Sequence, residues 1–225
     1  MKVTTDACLF GAWVAEEDRS KIEKTKHVVD VGAGTGLLSL MYAEKNPSSN
    51  IDAIDIDEDA CEQARQNFIA SPFGERINVM HNDVKTFSLP GKYDCIISNP
   101  PFYEKEIRSN NEKKNVAHHH SGLLFEELLN IIKAGLSSTG TFYLLLPFKR
   151  HEEIKKVLLK QHLWVAKVVF VKQSTKHNYF RMMMAGKLKN EDCGETMIEE
   201  ISIWDDHQQY TKKFKDLLKD YYLHL

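Results

Sequence analysis

Three glycines follow a run of β-branched residues in the stretch VVDVGAGTG, which covers residues 28–36. The apolar run predicts a buried strand. Gly32, Gly34 and Gly36 allow a tight turn and a close approach of a ligand to the backbone, beside the amides of a helix N-terminus. The stretch therefore predicts a strand, a ligand-binding turn and a helix, which together form one unit of an α/β sheet.

Strand-like and helix-like segments alternate after this unit. NIDAIDID, RINVMHND, YDCIISN and GTFYLLLPF have the character of strands, whereas EDACEQARQNFIAS and GLLFEELLNIIKAGLSS have helical spacing. This order predicts a doubly wound, mostly parallel α/β sheet, and the closely spaced strands near the C-terminus predict an antiparallel edge. The glycine turn and the stretch SNPPFY both fall at carboxyl ends of strands, where such sheets bind ligands.

The composition limits the classes of protein to consider. The chain has 225 residues, of which 42% are hydrophobic and 28% are charged, as in a soluble globular domain. It has no apolar run long enough for a membrane span and no visible secretory signal, and its four cysteines are scattered. The histidines 118–120 lack other ligands at metal-binding spacing. We therefore expect a cytoplasmic monomer without a membrane partner, a disulfide or a metal.

Acidic residues after the first three strands favour a nucleoside ligand with a positive centre. Asp30 would repel a pyrophosphate and attract the ammonium group of an amino acid moiety. Asp55, 19 residues after Gly36, can accept hydrogen bonds from both ribose hydroxyls, and Asp83 can accept one from an adenine amine. S-adenosylmethionine fits this set. NAD is the alternative, which the glycine spacing GxGxG disfavours.

An asparagine and two prolines end the fourth strand. Pro100 and Pro101 form a rigid turn without amide hydrogens, so that their carbonyls can face a ligand. The side-chain oxygen of Asn99 and a proline carbonyl can accept the two hydrogens of one exocyclic amine. Phe102, with Tyr103 beside it, offers a ring on which a flat base can stack. The motif therefore predicts methyl transfer to an amine.

The formal charge is uneven along the chain. Between residues 149 and 189, eleven Lys or Arg residues outnumber two Glu, so this window carries +9 and the rest of the chain carries −11. Single lysines are commonly part of a solvated surface, but a block of this size favours a polyanionic partner.

The segments DVGAGTGLLSL, AIDID, HNDV and ISNPPFY resemble the class I, S-adenosylmethionine-dependent amino-methyltransferases. These enzymes modify adenine N6, cytosine N4, guanine N2 or a glutamine side chain. MKVTTDACLFGAW and QQYTKKFKDLLKDYYL resemble, more narrowly, the bacterial tRNA adenine-N6-methyltransferase family, which modifies the adenine beside the anticodon of a valine tRNA. The resemblance implies that Thr5 and Asp6 line the cofactor pocket and that Arg181 lies on the substrate side.

We therefore predict a class I methyltransferase domain over residues 1–225, with a seven-stranded sheet. An N-terminal segment covers residues 1–25, the cofactor and catalytic core covers 26–147, and a basic part that contacts tRNA phosphates covers 148–225. The predicted function is transfer of a methyl group to adenine N6 in tRNA. The alternatives are an rRNA guanine-N2 methyltransferase, a release-factor glutamine methyltransferase and a non-catalytic RNA-binding module.

Overall fold

The computed structural model describes residues 3–19, 25–87, 89–100, 123–191 and 193–225. The α-helices of these segments are α1 (Thr5–Glu17), α2 (Leu37–Lys45), α3 (Glu58–Ile69), α4 (Phe125–Gly135), α5 (His151–Lys160) and α6 (Lys212–Leu218). The strands are β1 (Lys26–Val31), β2 (Ser49–Asp55), β3 (Ile77–His81), β4 (Tyr93–Ser98), β5 (Leu136–Pro147), β6 (Leu163–Ser174), β7 (Tyr179–Leu188) and β8 (Met197–Trp204). None of the described helices is both long and apolar enough to cross a membrane.

The strands form one sheet in the order β3-β2-β1-β4-β5-β7-β6-β8. Strand β7 runs antiparallel to β5 and β6, whereas the other neighbouring pairs are parallel. The predicted fold class, mostly parallel with an antiparallel strand in its C-terminal part, is confirmed. The described sheet has eight strands where seven were expected, because the strand-like segment MIEEISIW pairs with the outer side of β6.

Helices cover both faces of the sheet, so the core has two layers. Leu9 of α1, Tyr42 of α2 and Phe214 of α6 are fully buried in one layer. Leu128 of α4 and Ile154 of α5 are fully buried in the other. Because successive side chains of a strand point to opposite faces, the central strands feed both layers and consist of nearly continuous apolar residues. This arrangement leaves the carboxyl edge of the sheet as the place for polar side chains.

A buried acid after the end of α1 ties this helix to the sheet. The carboxylate of Asp18 accepts hydrogen bonds from Lys26 Nζ at 2.9 Å, Tyr42 Oη at 2.5 Å and Tyr143 Oη at 3.3 Å. Its partners belong to β1, α2 and β5, and only 8% of Asp18 is exposed. A buried charge is tolerated when it is paired and hydrogen-bonded in this way. The C-terminal end of α1 is therefore fixed against the middle of the fold.

Candidate active site

The glycine turn after β1 has the backbone that only glycine adopts readily. The φ angles of Gly32, Gly34 and Gly36 are +74°, +57° and +81°. A Cβ atom on Gly36 would lie 2.3 Å from the ring of Phe68, so this glycine lets the turn pack against α3. At Gly32 nothing lies within 4 Å of the position a Cβ would take. The turn is therefore packed on one side and open to a ligand on the other.

Asp55, the last residue of β2, is held at the mouth of this turn by backbone amides. Its Oδ2 accepts a hydrogen bond from the amide of Gly34 at 2.7 Å, and its Oδ1 accepts one from the amide of Asp57 at 3.0 Å. Each carboxylate oxygen can accept a further hydrogen bond. The carboxylate is thus fixed in direction and retains acceptors for hydroxyl groups, and its role as the ribose partner stays a prediction.

Asp30, the penultimate residue of β1, is completely buried. Its Oδ2 accepts a hydrogen bond from Ser39 Oγ at 2.8 Å, whereas its Oδ1 has no partner among the described residues. Burial raises the pKa of Asp30 to about 7; the hydrogen bonds of Ser39 oppose this rise and the charge of Asp55 adds to it. A buried carboxylate oxygen without a partner is unusual and is suited to a cationic ligand group.

Asp83 follows β3 and is half-buried in a turn at the same edge of the sheet. Its Oδ1 accepts a hydrogen bond from the amide of Lys85 at 2.9 Å, and its carbonyl accepts one from the amide of Phe87 at 2.9 Å. Such bonds from an Asp side chain to the backbone two residues on fix a turn. The amide of Asn82 donates to the carbonyl of Asp55 at 3.0 Å, so the ends of β2 and β3 are joined.

The end of β4 is tied to the end of β1 by a serine that sequence reasoning did not select. Buried Ser98 donates a hydrogen bond from Oγ to the carbonyl of Val31 at 2.7 Å. The next residue, Asn99, is exposed, and Pro100 is buried. The available sequence signal was a polar residue, Ser98, at the end of the apolar run of β4. This bond brings Asn99 and Pro100, the two residues that follow β4, beside the glycine turn.

Part of the predicted site lies outside the described residues. Pro101, Phe102 and Tyr103 belong to this part, as do the histidines 118–120. In the segments that are described, no group of three His, Cys, Asp or Glu side chains is placed to hold a metal ion.

Two residues that the resemblance assigned to opposite sides of the site form an ion pair. Arg181 Nε lies 2.7 Å from Asp6 Oδ2, and Arg181 pairs in the sheet with Pro147, the last residue of β5. Burial opposes ionisation of Asp6, but the hydrogen bonds and charge of Arg181, with a hydrogen bond from Thr4, lower its pKa. Thr5, the first residue of α1, is exposed. The pair joins the start of α1 to the carboxyl edge.

The basic window does not form one continuous surface. Strand β6 has twelve residues and spans about 40 Å, so the residues near its two ends lie on opposite edges of the sheet. Exposed Lys176, between β6 and β7, lies at the carboxyl edge, whereas exposed Lys187 lies near the opposite edge. Several other members form ion pairs: Arg150 with Glu153, Lys167 with Glu17 and Glu199, Lys172 with Glu200, and Arg181 with Asp6.

Comparison with known sequences gives matches along the whole chain. The profile of the methyltransferase small domain family matches residues 17–175. A protein of Dyadobacter fermentans named tRNA1(Val) (adenine(37)-N6)-methyltransferase is 36% identical over 226 residues, which cover 99% of this chain and 91% of that protein. A protein of Bacteroides thetaiotaomicron with the same name is 33% identical, with 100% and 92% covered.

Solved structures with the same architecture are also methyltransferases. A protein of Agrobacterium tumefaciens described as a predicted O-methyltransferase has a TM-score of 0.71 at 17% identity, with 95% of both chains covered. The ribosomal protein L11 methylase of Lactobacillus delbrueckii subsp. bulgaricus has a TM-score of 0.56 at 18% identity, covering 80% of this chain and 77% of that one. At these identities the similarity concerns the fold.

Proposed function

The chain belongs to the methyltransferase small domain family, and from this membership we propose that it transfers a methyl group from S-adenosylmethionine to N6 of an adenine in tRNA. The observation that carries the proposal is the hydrogen bond from Ser98 to Val31, which holds the Asn99–Pro100 turn beside the glycine turn. The proximity of the candidate amine-binding segment to the candidate cofactor pocket supports transfer between them. The name of the full-length relatives supports adenine and tRNA as substrate.

S-adenosylmethionine fits the polar groups of the cleft. Oδ1 of buried Asp30, which has no partner in the described part of the chain, suits the ammonium group of the methionine moiety. The backbone at Gly32 leaves open space, and Asp55 and Asp83 present acceptors for the ribose hydroxyls and the adenine amine. When bound, this cofactor supplies an electrophilic methyl group on a sulfonium.

Asn99 and Pro100 act on the amine of the target base. The lone pair of an exocyclic amine is delocalised into the ring, which makes the nitrogen a poor nucleophile. The Asn99 side-chain oxygen and the Pro100 carbonyl accept hydrogen bonds from the two N–H groups of this amine. These bonds orient the nitrogen and favour the more tetrahedral geometry of the transition state. In the same proposal, Pro101 keeps the turn rigid, and Phe102 and Tyr103 stack the base.

The ion pair between Asp6 and Arg181 forms the side of the cleft next to α1. Its 2.7 Å hydrogen bond holds the start of α1, and with it Thr5, against the end of β5. The side chain of Arg181 is 38% exposed, so it retains donors that can reach an RNA phosphate while it holds Asp6. Cytoplasmic location and the monomeric state stay predictions from the sequence.

The test is transfer of labelled methyl groups from S-adenosylmethionine to total tRNA that lacks N6-methyladenosine, followed by mass spectrometry of the nucleosides. We expect label in N6-methyladenosine with the wild-type chain and none with Asn99→Ala. Asn50→Ala is the matched control, because Asn50 is an exposed asparagine near the amino end of β2, at the edge of the sheet opposite the candidate site. This replacement should leave the product unchanged. Equal affinity of both variants for the cofactor, measured by calorimetry, would assign the loss to the amine site.

Other products would identify the alternatives. Label in N2-methylguanosine would indicate a guanine methyltransferase, and label in protein would indicate a glutamine methyltransferase. RNA binding that Asn99→Ala abolishes, without methylation of any substrate by the wild-type chain, would indicate a binding module.

A further inference from the structure

Four partly exposed aromatic side chains contact one another just beyond the end of β5. The ring of Phe148 lies 4.6 Å from His151, 5.2 Å from Phe170 and 5.0 Å from Tyr179 between centroids, and Phe170 lies 5.1 Å from Tyr179. We refer to these four residues as the aromatic edge cluster. All four are half-buried, unlike the fully enclosed rings of the two core layers. The cluster therefore presents aromatic surface to solvent at the carboxyl edge.

The sheet places this cluster near the amine-binding turn. Ser98 of β4 pairs with Leu144 of β5, and Phe148 comes four residues later in the direction of the carboxyl edge. With neighbouring strands about 4.8 Å apart and a rise of about 3.3 Å per residue, Phe148 lies roughly 10 Å from Asn99. A nucleotide next to an adenine held at Asn99 can reach this distance.

Basic and acidic side chains both border the cluster. Lys172 Nζ lies 4.8 Å from the ring centroid of Tyr179, and Lys176 is exposed in the following turn. Two acids contact the cluster: Glu200 accepts a hydrogen bond from the Tyr179 hydroxyl and lies 3.4 Å from Lys172, and Glu152 Oε1 lies 3.1 Å from His151 Nε2. Glu200 thus orients Tyr179 and neutralises one lysine, whereas the exposed side chain of Lys176 can reach a phosphate. Asp206, near this turn, is hydrogen-bonded to Thr175.

We propose that the aromatic edge cluster stacks the base of a nucleotide flanking the target adenine, while Lys176 contacts the RNA backbone. The proposal rests on the function proposed above and extends it to the way the RNA is held. Single-stranded and loop nucleotides are recognised by stacking on aromatic rings beside basic side chains, and such stacking tolerates any base. The cluster would therefore add affinity for RNA without adding sequence specificity.

The first experiment separates the ring of Tyr179 from its hydroxyl group. Affinity for tRNA at fixed salt is measured by fluorescence anisotropy for Tyr179→Leu and Tyr179→Phe. Leucine keeps apolar volume but loses the flat ring, so Tyr179→Leu should bind about tenfold more weakly, whereas Tyr179→Phe should stay within about twofold of wild type. Phe148→Leu provides a second ring deletion with the same expectation. Unchanged affinity for S-adenosylmethionine shows that each variant is folded.

The second experiment uses RNA hairpins in which the nucleotide before or after the target adenine is abasic. One abasic RNA should lose about tenfold in affinity for the wild-type chain but little for Tyr179→Leu, because that variant has already lost the stacking partner. For charge, Lys176→Glu should weaken RNA binding at least tenfold. Lys187→Glu, the same change near the opposite edge of the sheet, should have little effect.

Each result decides the proposal. Wild-type affinity in Tyr179→Leu and Phe148→Leu overturns it, and so does an equal loss on intact and abasic RNA. Equal effects of Lys176→Glu and Lys187→Glu would overturn the backbone contact. The proposed function fails in a different way, when the wild-type chain forms no N6-methyladenosine in any tRNA, and the binding measurements do not depend on turnover.

Discussion

Replacement of Asp30 by asparagine should change the way stability depends on pH. Asp30 is fully buried, and burial raises its pKa from 3.8 to about 7. Its carboxyl group therefore binds a proton more tightly in the folded chain than in the unfolded chain. Without a cationic ligand, the contribution of the protonated Asp30 to the free energy of unfolding is fully present below pH 3.8 and is lost as the pH rises to about 7.

The size of this effect follows from the pKa change. Raising the pKa of one carboxyl group by about 3 corresponds to about 4 kcal/mol, or about 1.4 kcal/mol per pH unit, lost between pH 4 and pH 7. Asparagine does not titrate, so Asp30→Asn should lack this slope. Its buried NH2 group, placed where Oδ1 has no described partner, costs about 1–3 kcal/mol at every pH. The slope, not the absolute stability, therefore reports the charge of Asp30.

The assay is urea unfolding of the ligand-free protein, followed by circular dichroism at pH 5, 6, 7 and 8. Between pH 5 and pH 7 the free energy of unfolding of Asp30→Asn should rise relative to wild type by about 2–3 kcal/mol and then level off. Parallel pH profiles for the two proteins would refute the reasoning, because they would mean that Asp30 does not change its protonation over this range.

Asp30 should also make the affinity for the cofactor depend on pH. This affinity should increase as the pH rises, whereas the stability of the ligand-free protein decreases. A cation bound at Asp30 favours the ionised carboxylate, so S-adenosylmethionine must displace a proton below pH 7. Calorimetry should show wild-type affinity falling about tenfold per pH unit below pH 7 and a flat, weaker affinity for Asp30→Asn. Identical pH profiles for wild type and variant would place the ammonium group elsewhere.

Four further changes test the remaining architecture. Gly36→Ala places a Cβ 2.3 Å from the Phe68 ring at a φ of +81° and should lower the free energy of unfolding by about 3 kcal/mol. Gly32→Ala places its Cβ in open space, so it should lower the free energy of unfolding by only about 1 kcal/mol. Its main effect should be weaker binding of the cofactor. Ser98→Ala leaves the last β1 carbonyl without its hydrogen bond and should destabilise the protein by about 1–3 kcal/mol in urea unfolding. Arg181→Gln should raise the pKa of its α1 carboxylate partner, measured by NMR titration.

Each of these predictions has a result that would contradict it. Equal destabilisation by Gly36→Ala and Gly32→Ala would contradict the tighter packing at Gly36. Calorimetry of cofactor binding to the two variants is the second measurement. Wild-type stability of Ser98→Ala would show that the β1–β4 link adds nothing to the fold. An unchanged carboxylate titration in Arg181→Gln would mean that the ion pair does not form in solution.

Local patterns predicted the turn and the strand ends at which the candidate site residues lie. The turn after β1 has positive φ angles, which glycine adopts without strain, so the position of this turn was visible in the sequence. The strand ends that carry Asp55, Asp83 and Asn99 could be found because apolar runs stop there. The alternation of strands and helices predicted the sheet for the same reason.

Contacts between distant parts of the chain could not be predicted in this way. The pair of Asp6 and Arg181 joins residues 175 positions apart, and neither side chain has a local signal for the other. The basic window looked continuous because sequence distance does not show that β6 carries its two ends to opposite edges. The eighth strand was visible as a strand, but its place beside β6 depends on sheet pairing that no local pattern encodes.

The reversed direction of β7 has a consequence for how this protein can evolve. In a parallel sheet, every crossover returns to the amino edge, but the β6–β7 hairpin turns back at the carboxyl edge, with residues 175–178 at its tip. Insertions or substitutions there need not disturb the glycine turn or the two core layers. We therefore expect that transplanting this tip between related enzymes changes the affinity for RNA, while the cofactor half stays unchanged.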